Sequence, residues 1–225
     1  MNTQFQNRTQ AGELLATKLI AYAKRPDVVV LGLPRGGVPV AFEVAKTLNV
    51  PLDIILVRKL GVPAQPELAM GAIATGGVRV LNDDVVKWLG ISEAEIDTVV
   101  QREMQELERR DRLYRGNRPM PHVENRTVIL VDDGIATGST LRAAIAALRQ
   151  QQPQQIIVAV PIASTSVCQQ LRSEADDVVC AIEVEQLSAI SLWYEEFTQT
   201  SDEEVRALLA EAANGYVQLF SQTNC

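Results

Sequence analysis

The stretch "TVILVDDGIATGSTLRAAIAALR", residues 127–149, decides the fold. An apolar run ends in two adjacent aspartates, Asp132 and Asp133, and small residues then lead into a helical pattern. The apolar side chains of that pattern recur at the i, i+3, i+4, i+7 spacing of an amphipathic helix: Leu141, Ala144, Ile145 and Leu148. A buried strand that passes through a short loop into such a helix is the repeating unit of an α/β fold.

The same unit recurs along the chain. Four more apolar runs have the length and β-branched content of buried strands: residues 27–33, 52–58, 155–162 and 177–182. They are apolar throughout rather than alternating, which indicates strands covered on both faces. A helical stripe follows the first run and consists of Val38, Phe42, Ala45 and Leu48, with Asn49 near its end. The sequence therefore predicts an α/β fold with a parallel sheet flanked by helices.

Two further segments do not fit that alternation. Residues 69–83 predict two short strands around Gly76 and Gly77, which would form a β-hairpin. Residues 84–115 predict a helical insertion that contains a capping box, Ser92 with Glu95. Its charged side chains pair at i, i+4 spacing and predict a solvated, ion-paired outer face: Glu106–Arg110, Glu108–Arg112 and Asp111–Arg115.

A C-terminal helix is predicted after a second capping box, formed by Ser201 and Glu204. Its apolar side chains would pack back on the body of the protein: Val205, Leu208, Leu209, Ala212 and Tyr216. With 225 residues the chain is long enough for one α/β core, so we expect a single domain over residues 1–225, with a core at about 27–185 and a C-terminal hood and helix at about 186–220.

Composition excludes several classes of protein. A net charge of −7 argues against non-specific nucleic-acid binding. No apolar run approaches the roughly 18 residues of a membrane span, and the polar start of the chain lacks a signal-peptide core, so no membrane partner is expected. Three cysteines without CxxC spacing predict a cytoplasmic location. The single histidine, His122, puts most His-dependent triads and metal centres out of reach.

Polar residues follow the predicted strands at the points where an open parallel sheet binds its ligands, the carboxyl ends. The first run ends in "LPRGG", residues 33–37, where two glycines would let backbone N–H groups approach an anion at a helix start. The run at 52–58 ends in Arg58, followed by Lys59. The first pattern fits a tight strand-to-helix turn equally well. The second fits ordinary surface charges at the end of a strand.

The third pattern is more specific. Thr137, Gly138, Ser139 and Thr140 have the composition of a phosphate cradle at a helix start. A Walker A loop requires lysine where Ser139 stands, so nucleoside triphosphate hydrolysis is not favoured. Carboxylates repel phosphate, so Asp132 and Asp133 must face another part of the ligand, and sugar hydroxyls suit acceptor-only groups. The pattern predicts a ribose 5-phosphate ligand.

These residues resemble the phosphoribosyl-pyrophosphate (PRPP) signature of type I phosphoribosyltransferases. Two other segments, "PELAMGAIA" and "WYEEFTQTSDEEV", resemble an uncharacterised bacterial branch of that family. "VILVDDGIATGST" is similar to the signature itself, "LPRGG" to the pyrophosphate loop, and residues 61–82 occupy the place of the flexible catalytic hairpin. The resemblance covers about residues 27–185 and implies the type I fold with a flexible hairpin, a helical insertion and a C-terminal hood. The insertion at 84–115 departs from the minimal core and puts the usual homodimer contacts in doubt.

The resemblance implies transfer of the 5-phosphoribosyl group from PRPP to a nitrogen acceptor, such as a purine or pyrimidine base, with release of pyrophosphate. Mg²⁺ would be required and held mainly through PRPP, with Asp132 or Asp133 contributing through water. Arg35 and Lys59 would stabilise the leaving group, while the aspartates would orient the ribose hydroxyls. The implied PRPP-binding set is Pro34, Arg35, Gly36, Gly37, Arg58, Lys59, Asp132, Asp133, Gly134, Ile135, Ala136, Thr137, Gly138, Ser139 and Thr140.

Several assignments stay open. Trp193 and Tyr194 are the aromatic residues that could stack on the acceptor in the hood, or they could anchor the C-terminal helix, with Trp193 favoured as the anchor and Tyr194 as the residue nearer the ligand. Residues 61–77 are expected to form a mobile lid, in which Glu67 is either a base or a surface charge. A PRPP-sensing regulatory protein of the same fold is an alternative function. An unrelated sugar-phosphate hydrolase is another, although the sequence contains no nucleophile motif for it.

Overall fold

The computed structural model describes residues 4–116 and 118–222, and in the last helix the side chains as far as Gly215. The helices and strands follow one another in this order: α1 (Arg8–Lys18), β1 (Val28–Gly32), α2 (Gly37–Leu48), β2 (Leu52–Ile54), β3 (Val57–Val62), β4 (Gln65–Ala74), β5 (Val78–Leu81), α3 (Asp83–Leu89), α4 (Glu93–Arg115), β6 (Thr127–Val131), α5 (Ser139–Arg149), β7 (Gln155–Ser164), α6 (Thr165–Leu171), β8 (Asp177–Val184) and α7 (Asp202–Gln222). None of the helices in these ranges is both long and apolar enough to cross a bilayer.

The main sheet is parallel, and within the described ranges its strands lie in the order β2-β1-β6-β7-β8. Alternate side chains of each strand enter different cores: Val29 and Leu31 pack with α5 and α6, whereas Val28 and Val30 pack with α1 and α2. Because both faces are covered, the strands are largely apolar rather than alternating, which is the pattern that the sequence shows. The predicted parallel α/β sheet is therefore confirmed.

The sequence predicted a single strand over residues 52–58, but the structure divides this run between two strands. Strand β2 ends at Ile54, and β3 begins at Val57 in a different, antiparallel sheet. Thr75 causes the break: its buried hydroxyl accepts a hydrogen bond from the Leu56 amide at 2.9 Å, and its own amide donates to the Leu56 carbonyl at 2.9 Å. Lys59 consequently lies within the second sheet rather than at the end of a main-sheet strand.

The second sheet contains β3, β4 and β5 in that order. The predicted hairpin is confirmed, since β4 and β5 are joined at Gly76 and Gly77, which have φ angles of +87° and +77°. Residues 61–77, predicted to form a mobile lid, comprise the end of β3, strand β4 and the turn that follows it, and the pairing of β3 with β4 shifts register on both sides of Gly61. Their mobility stays a prediction.

The helical insertion consists of α3 and α4, separated at Gly90 with a φ angle of +64°. The capping box of Ser92 and Glu95 is confirmed at the start of α4. The outer face carries the predicted pairs Glu106–Arg110 at 2.7 Å and Glu108–Arg112 at 3.3 Å.

The prediction of a fully solvated charged face on α4 is wrong at two positions. Glu103 is buried and accepts hydrogen bonds from Arg58 of β3, the shorter at 2.6 Å. The side chain of Arg115 is 1% exposed and pairs with Asp53 of β2 at 3.1 Å and with Asp111 at 2.7 Å. Helix α4 is therefore joined to both sheets by ion pairs that local charge spacing could not reveal.

The C-terminal helix α7 agrees with its prediction. The Ser201 hydroxyl accepts from the Glu204 amide at 3.1 Å, which confirms the Ser201 half of the capping box. Val205 and Leu209 are fully buried in the core formed with α4 and the second sheet. The Tyr216 side chain lies outside the described residues. Helix α1 was not predicted, although Asn7 caps it by accepting a hydrogen bond from the Gln10 amide.

Arg115→Met should lower the free energy of unfolding by about 3 kcal/mol, because it leaves Asp53 and Asp111 without their shared buried partner. The matched change Arg112→Met removes an exposed partner at the same i, i+4 spacing on the same helix, and should cost less than about 0.5 kcal/mol. Urea unfolding of both variants measures the difference. Equal losses in the two variants would contradict a structural role for the Arg115 pairs.

Candidate functional site

Two loops leave the carboxyl edge of the main sheet side by side. Strands β1 and β6 are parallel neighbours with Gly32 opposite Val131, so the RGG loop (residues 34–37) and the acidic pair (Asp132 and Asp133) emerge together. The Pro34–Arg35 peptide bond in the RGG loop is cis. Pairing of the strands therefore brings these two predicted site segments into contact.

The acidic pair leaves no room for side chains at Gly36 and Gly37. A Cβ atom on Gly37 would lie 2.9 Å from the Cα atom of Asp132, and a Cβ atom on Gly36 would overlap the carboxylate of Asp133. From the sequence, these glycines were predicted to let backbone N–H groups approach an anion. In the structure their missing side chains also make room for the two carboxylates, a contact that no local pattern indicates.

Burial dominates the electrostatics of the acidic pair. It raises the pKa of the Asp132 carboxyl well above its usual range, and the neighbouring charge of Asp133 raises that pKa further. Burial also raises the pKa of Asp133, while the guanidinium of Arg8 acts in the opposite direction. The Asp132 Oδ1 atom accepts a hydrogen bond from the Asp133 amide at 2.9 Å. Such a pair is costly without a ligand, and hydroxyl donors or a developing cation would stabilise it.

Arg8 is a residue of this site that sequence reasoning missed. From the first turn of α1, its Nε and Nη2 atoms contact the Asp133 Oδ2 atom at 2.9 and 2.8 Å. Its Nη1 atom donates to the Thr198 carbonyl at 2.7 Å, and its guanidinium lies 4.0 Å from the centre of the Phe197 ring. The helix cap at Asn7 could have revealed α1, but nothing in the local sequence indicates where Arg8 points.

The TGST loop (residues 137–140) opens helix α5. Gly138 adopts a left-handed conformation with a φ angle of +76°, and the Thr137 and Ser139 hydroxyls lie 3.1 Å apart. Thr137, Ser139 and Thr140 are exposed. Among the described residues, the amides of Thr137, Gly138, Thr140 and Leu141 have no hydrogen-bond acceptor. Unpaired amides at the start of a helix are the geometry that binds anions.

Two members of the predicted PRPP-binding set, Gly134 and Ile135, lie on the buried side of the TGST loop. The Ile135 side chain is 1% exposed and belongs to the core, and its amide donates to the Ile162 carbonyl. A Cβ atom on Gly134 would meet the Ile190 and Ile162 side chains at 2.8 and 2.9 Å. These residues shape the loop from inside, whereas Ala136 is exposed beside the hydroxyl residues.

Arg58 and Lys59 have different surroundings. Arg58 is held by the buried Glu103, so its guanidinium is engaged in a structural pair. The Lys59 Nζ atom lies 3.3 Å from the carboxylate of Glu67, and both side chains are largely exposed. Lys59 and Glu67 line a cavity of about 890 Å³ together with Ser139 and Thr140 of the TGST loop. The structure thus brings Lys59 to a cavity shared with the TGST loop, while Arg58 lines a smaller one, of about 30 Å³, together with Pro34 and Thr140.

Arg35 points from the RGG loop toward the start of α7. Its Nη1 atom lies 3.8 Å from Asp202, and both side chains are about one-third exposed. Asp202 also accepts a hydrogen bond of 2.5 Å from the Tyr114 hydroxyl of α4. Burial, followed by this contact with Asp202, raises the pKa of Tyr114 to about 12. Arg35 is therefore loosely tethered to the C-terminal helix.

Of the two aromatic residues of the hood, Tyr194 has the more covered ring. Tyr194 is 5% exposed, its ring is 5.3 Å from that of Phe5 and 4.8 Å from that of Phe197, and its hydroxyl donates to the Asp133 carbonyl at 2.6 Å. Burial raises the pKa of this hydroxyl, so it remains a donor. Trp193 is only partly buried, and which of the two contacts an acceptor stays a prediction. His122 is an exposed residue 3.7 Å from Glu124.

No group of three or more His, Cys, Asp or Glu side chains in residues 4–116 and 118–222 is close enough to enclose a metal ion. The oxygen ligands nearest to the two loops are the carboxylates of the acidic pair. Mg²⁺ keeps several waters and binds through one or two carboxylates together with substrate phosphates. The donor set therefore fits a magnesium ion that arrives with a phosphorylated ligand rather than one in a protein cage.

The fold is that of an α/β protein with its polar loops gathered at the carboxyl edge of a parallel sheet. A family model described as "Phosphoribosyl transferase domain" matches residues 2–201. A Mycobacterium tuberculosis protein named "Putative phosphoribosyl transferase" is 47% identical over 214 residues, which are 95% of this chain and 48% of that protein. The crystal structure of TT1426 from Thermus thermophilus is similar with a TM-score of 0.84 and 39% identity, over 92% of this chain and 98% of that one.

The chain belongs to the phosphoribosyltransferase family, as its resemblance to the PRPP signature predicted. It spans about half the length of the curated relatives that it matches.

Asp132→Asn should stabilise the protein. Folding raises the pKa of Asp132, so the wild type loses stability as the pH rises above the unfolded-state value of about 3.9. Asparagine keeps the oxygen that accepts from the Asp133 amide and removes the buried charge. We expect a gain of about 0.5–2 kcal/mol at pH 7.5 that shrinks toward pH 4.5, measured by urea unfolding.

Asp27→Asn is the matched control, because the hydrogen bond from Arg25 lowers the pKa of Asp27. A lowered pKa contributes stability above the unfolded-state value and loses it as the pH falls. The control should therefore be destabilised at pH 7.5 and approach the wild type in acid. A loss of stability in Asp132→Asn at pH 7.5 would show that the burial cost of this carboxylate is already offset.

Proposed function

We propose that this protein transfers the 5-phosphoribosyl group of PRPP to a nitrogen acceptor, a purine or pyrimidine base, and releases pyrophosphate. The observation that carries the proposal is the placement of the acidic pair between the RGG loop and the TGST loop at one edge of the sheet. We further propose that residues 1–225 act as one phosphoribosyltransferase domain, because segments near both chain ends contact Asp133.

Each loop has a role that its chemistry supports. The unpaired amides and hydroxyls of the TGST loop would bind the 5-phosphate at the start of α5. Asp132 and Asp133 would accept hydrogen bonds from the ribose hydroxyls, since carboxylates only accept. The backbone of Pro34, Gly36 and Gly37 would face the pyrophosphate. This arrangement separates the anionic ends of PRPP from the carboxylates by placing the ribose between them.

The departing pyrophosphate carries the negative charge of the transition state, and the ribosyl group becomes cationic. Lys59 and Arg35 would follow the leaving group, because each is held only by an exposed partner. The carboxylates of the acidic pair would gain favourable interaction as positive charge develops beside them. Asp132 or Asp133 would help to hold a Mg²⁺ ion that arrives with PRPP, and the ion would supply positive charge to neutralise the pyrophosphate.

The acceptor would enter beneath the hood, where Trp193 is partly buried and Leu192 is 61% exposed. Tyr194 is not available to stack on a base, because its two ring neighbours cover it. Trp193 is therefore the better aromatic residue for contact with a planar acceptor.

A panel of purine and pyrimidine bases incubated with PRPP and Mg²⁺ tests the reaction, with pyrophosphate release as the measurement. Turnover with one base and saturation by PRPP is the expected result. Tight PRPP binding without turnover on any base would instead support a regulatory protein that senses PRPP. An absence of PRPP binding would contradict both functions.

Ser139→Glu tests the TGST loop without disturbing the helix. A negative charge in the first turn of α5 favours the helix but repels a phosphate at the same place. Ribose 5-phosphate at 100 times its dissociation constant should stabilise the wild type by about 2.7 kcal/mol and the variant far less. Ala94→Glu adds the same charge to the exposed first turn of α4 and should keep full protection. Equal protection in all three proteins would place the phosphate elsewhere.

Arg58 and Lys59 are adjacent cations of β3, and their replacement by methionine gives a second matched pair of variants. Lys59→Met should lower kcat for pyrophosphate release by about 100-fold, the effect of removing one transition-state charge contact, and leave the melting temperature nearly unchanged. Arg58→Met should instead destabilise the protein, since it leaves the buried Glu103 without its strand partner. Kinetics and melting curves of both variants separate the roles. A larger kinetic defect in a folded Arg58→Met protein would reverse them.

A further inference from the structure

We propose that Arg8 is a positioning residue of the ribose site, which holds one oxygen of Asp133 so that the other is presented to a ribose hydroxyl. This inference rests on the proposed function, because it assigns a task within the PRPP site. Arg8 lies in the first turn of α1, outside every segment that carries the PRPP-like motif.

The contacts of Arg8 are selective for one oxygen. Its Nε and Nη2 atoms both contact Asp133 Oδ2, at 2.9 and 2.8 Å. Among the described residues, no hydrogen-bond donor reaches Asp133 Oδ1. A carboxylate with one oxygen fixed by a charged fork cannot rotate freely, so its second oxygen has a defined direction. That is the property needed of a group that orients a sugar hydroxyl.

Arg8 itself is immobilised from three sides. Its third nitrogen donates to the Thr198 carbonyl at 2.7 Å, and the Phe197 ring lies 4.0 Å from the guanidinium. The Arg8 side chain is only 12% exposed. An arginine that merely neutralised a surface carboxylate would not need a ring and a carbonyl to fix its plane.

The backbone of Asp133 is fixed from the same side. The Tyr194 hydroxyl donates to the Asp133 carbonyl at 2.6 Å, and the Tyr194 ring packs between Phe5 and Phe197. The start of the described chain, from Phe5 to the first turn of α1, and the segment that precedes α7 therefore form one clamp, which consists of Phe5, Arg8, Tyr194, Phe197 and Thr198. Its two hydrogen-bonding ends hold the main chain and the side chain of Asp133.

Arg8 could alternatively serve only to fasten the start of the chain to the hood. A fastening role predicts a loss of stability and an equal effect on every ligand. A positioning role predicts an effect that is confined to ligands containing ribose and that disappears when Asp133 has no carboxylate. The two roles are therefore separable by comparing ligands and by a double-mutant cycle.

The experiment titrates PRPP with Mg²⁺, and pyrophosphate with Mg²⁺, into the wild type, Arg8→Gln, Asp133→Asn and the double variant. We expect Arg8→Gln to weaken PRPP binding about tenfold, the effect of one charge-assisted contact, and to leave pyrophosphate binding within about twofold. In the Asp133→Asn background, Arg8→Gln should cause no further loss. Arg8→Lys keeps the charge without the fork and should recover part of the PRPP affinity, and it carries the test if the glutamine variant does not fold.

Arg25→Gln is the control, because Arg25 also contacts an aspartate, Asp27, and lies near an aromatic ring, that of Tyr22, at the opposite edge of the sheet. It should change stability and leave PRPP affinity unchanged. The inference is overturned if Arg8→Gln binds PRPP like the wild type, weakens PRPP and pyrophosphate alike, or has the same effect with and without the Asp133 carboxylate. A wild type that does not bind PRPP overturns the proposed function itself, and this inference with it.

Discussion

The burial of two adjacent carboxylates at the end of β6 is the constraint on which the site depends. Asp132 and Asp133 occupy the space that side chains on Gly36 and Gly37 would fill, so the RGG loop and the acidic pair fit together only because those residues are glycines. Burial raises the pKa of both carboxyls, which makes the pair costly in the absence of a ligand. Only one protein cation, Arg8, contacts the pair within the described residues. The acidic pair is therefore held in the fold at an electrostatic cost.

The sequence predicted those elements whose cause is local. Strand β6 and helix α5 follow from a continuous apolar run and a regular stripe, and Gly76 and Gly77 mark a hairpin because their positive φ angles favour glycine. The TGST loop was also evident as the start of α5, since glycine and small hydroxyl residues are favoured where a helix begins. In all these cases the deciding residues lie within one turn or one strand of each other.

The features that the sequence missed depend on partners far along the chain. Beyond the break after Ile54, Leu56 pairs with Thr75 in the turn between β4 and β5, and a run of apolar residues gives no sign of this contact. Arg58 appears as a free cation until Glu103, 45 residues later, is seen to be buried beside it. Arg8 and Asp133 are 125 residues apart. Local periodicity contains no information about such pairs, so the charged residues of a site cannot be sorted by sequence alone.

Burial sorts them. Arg8, Arg35, Arg58 and Lys59 each have a carboxylate partner in the structure. The partner side chains of Arg8 and Arg58, Asp133 and Glu103, are 14% and 10% exposed, and separating such pairs would leave a desolvated charge at a cost of several kcal/mol. The Lys59–Glu67 pair and the Arg35–Asp202 pair are largely or partly exposed, and pairs of that kind contribute only about 0–1 kcal/mol.

In the proposed reaction, a phosphorylated ligand would replace Glu67 and Asp202 as the partners of Lys59 and Arg35 at almost no cost. It would not draw Arg8 or Arg58 away from their carboxylates. On this proposal, Lys59 and Arg35 follow the anion, while Arg8 and Arg58 stay in place and fix the carboxylate and the strand on which the others depend.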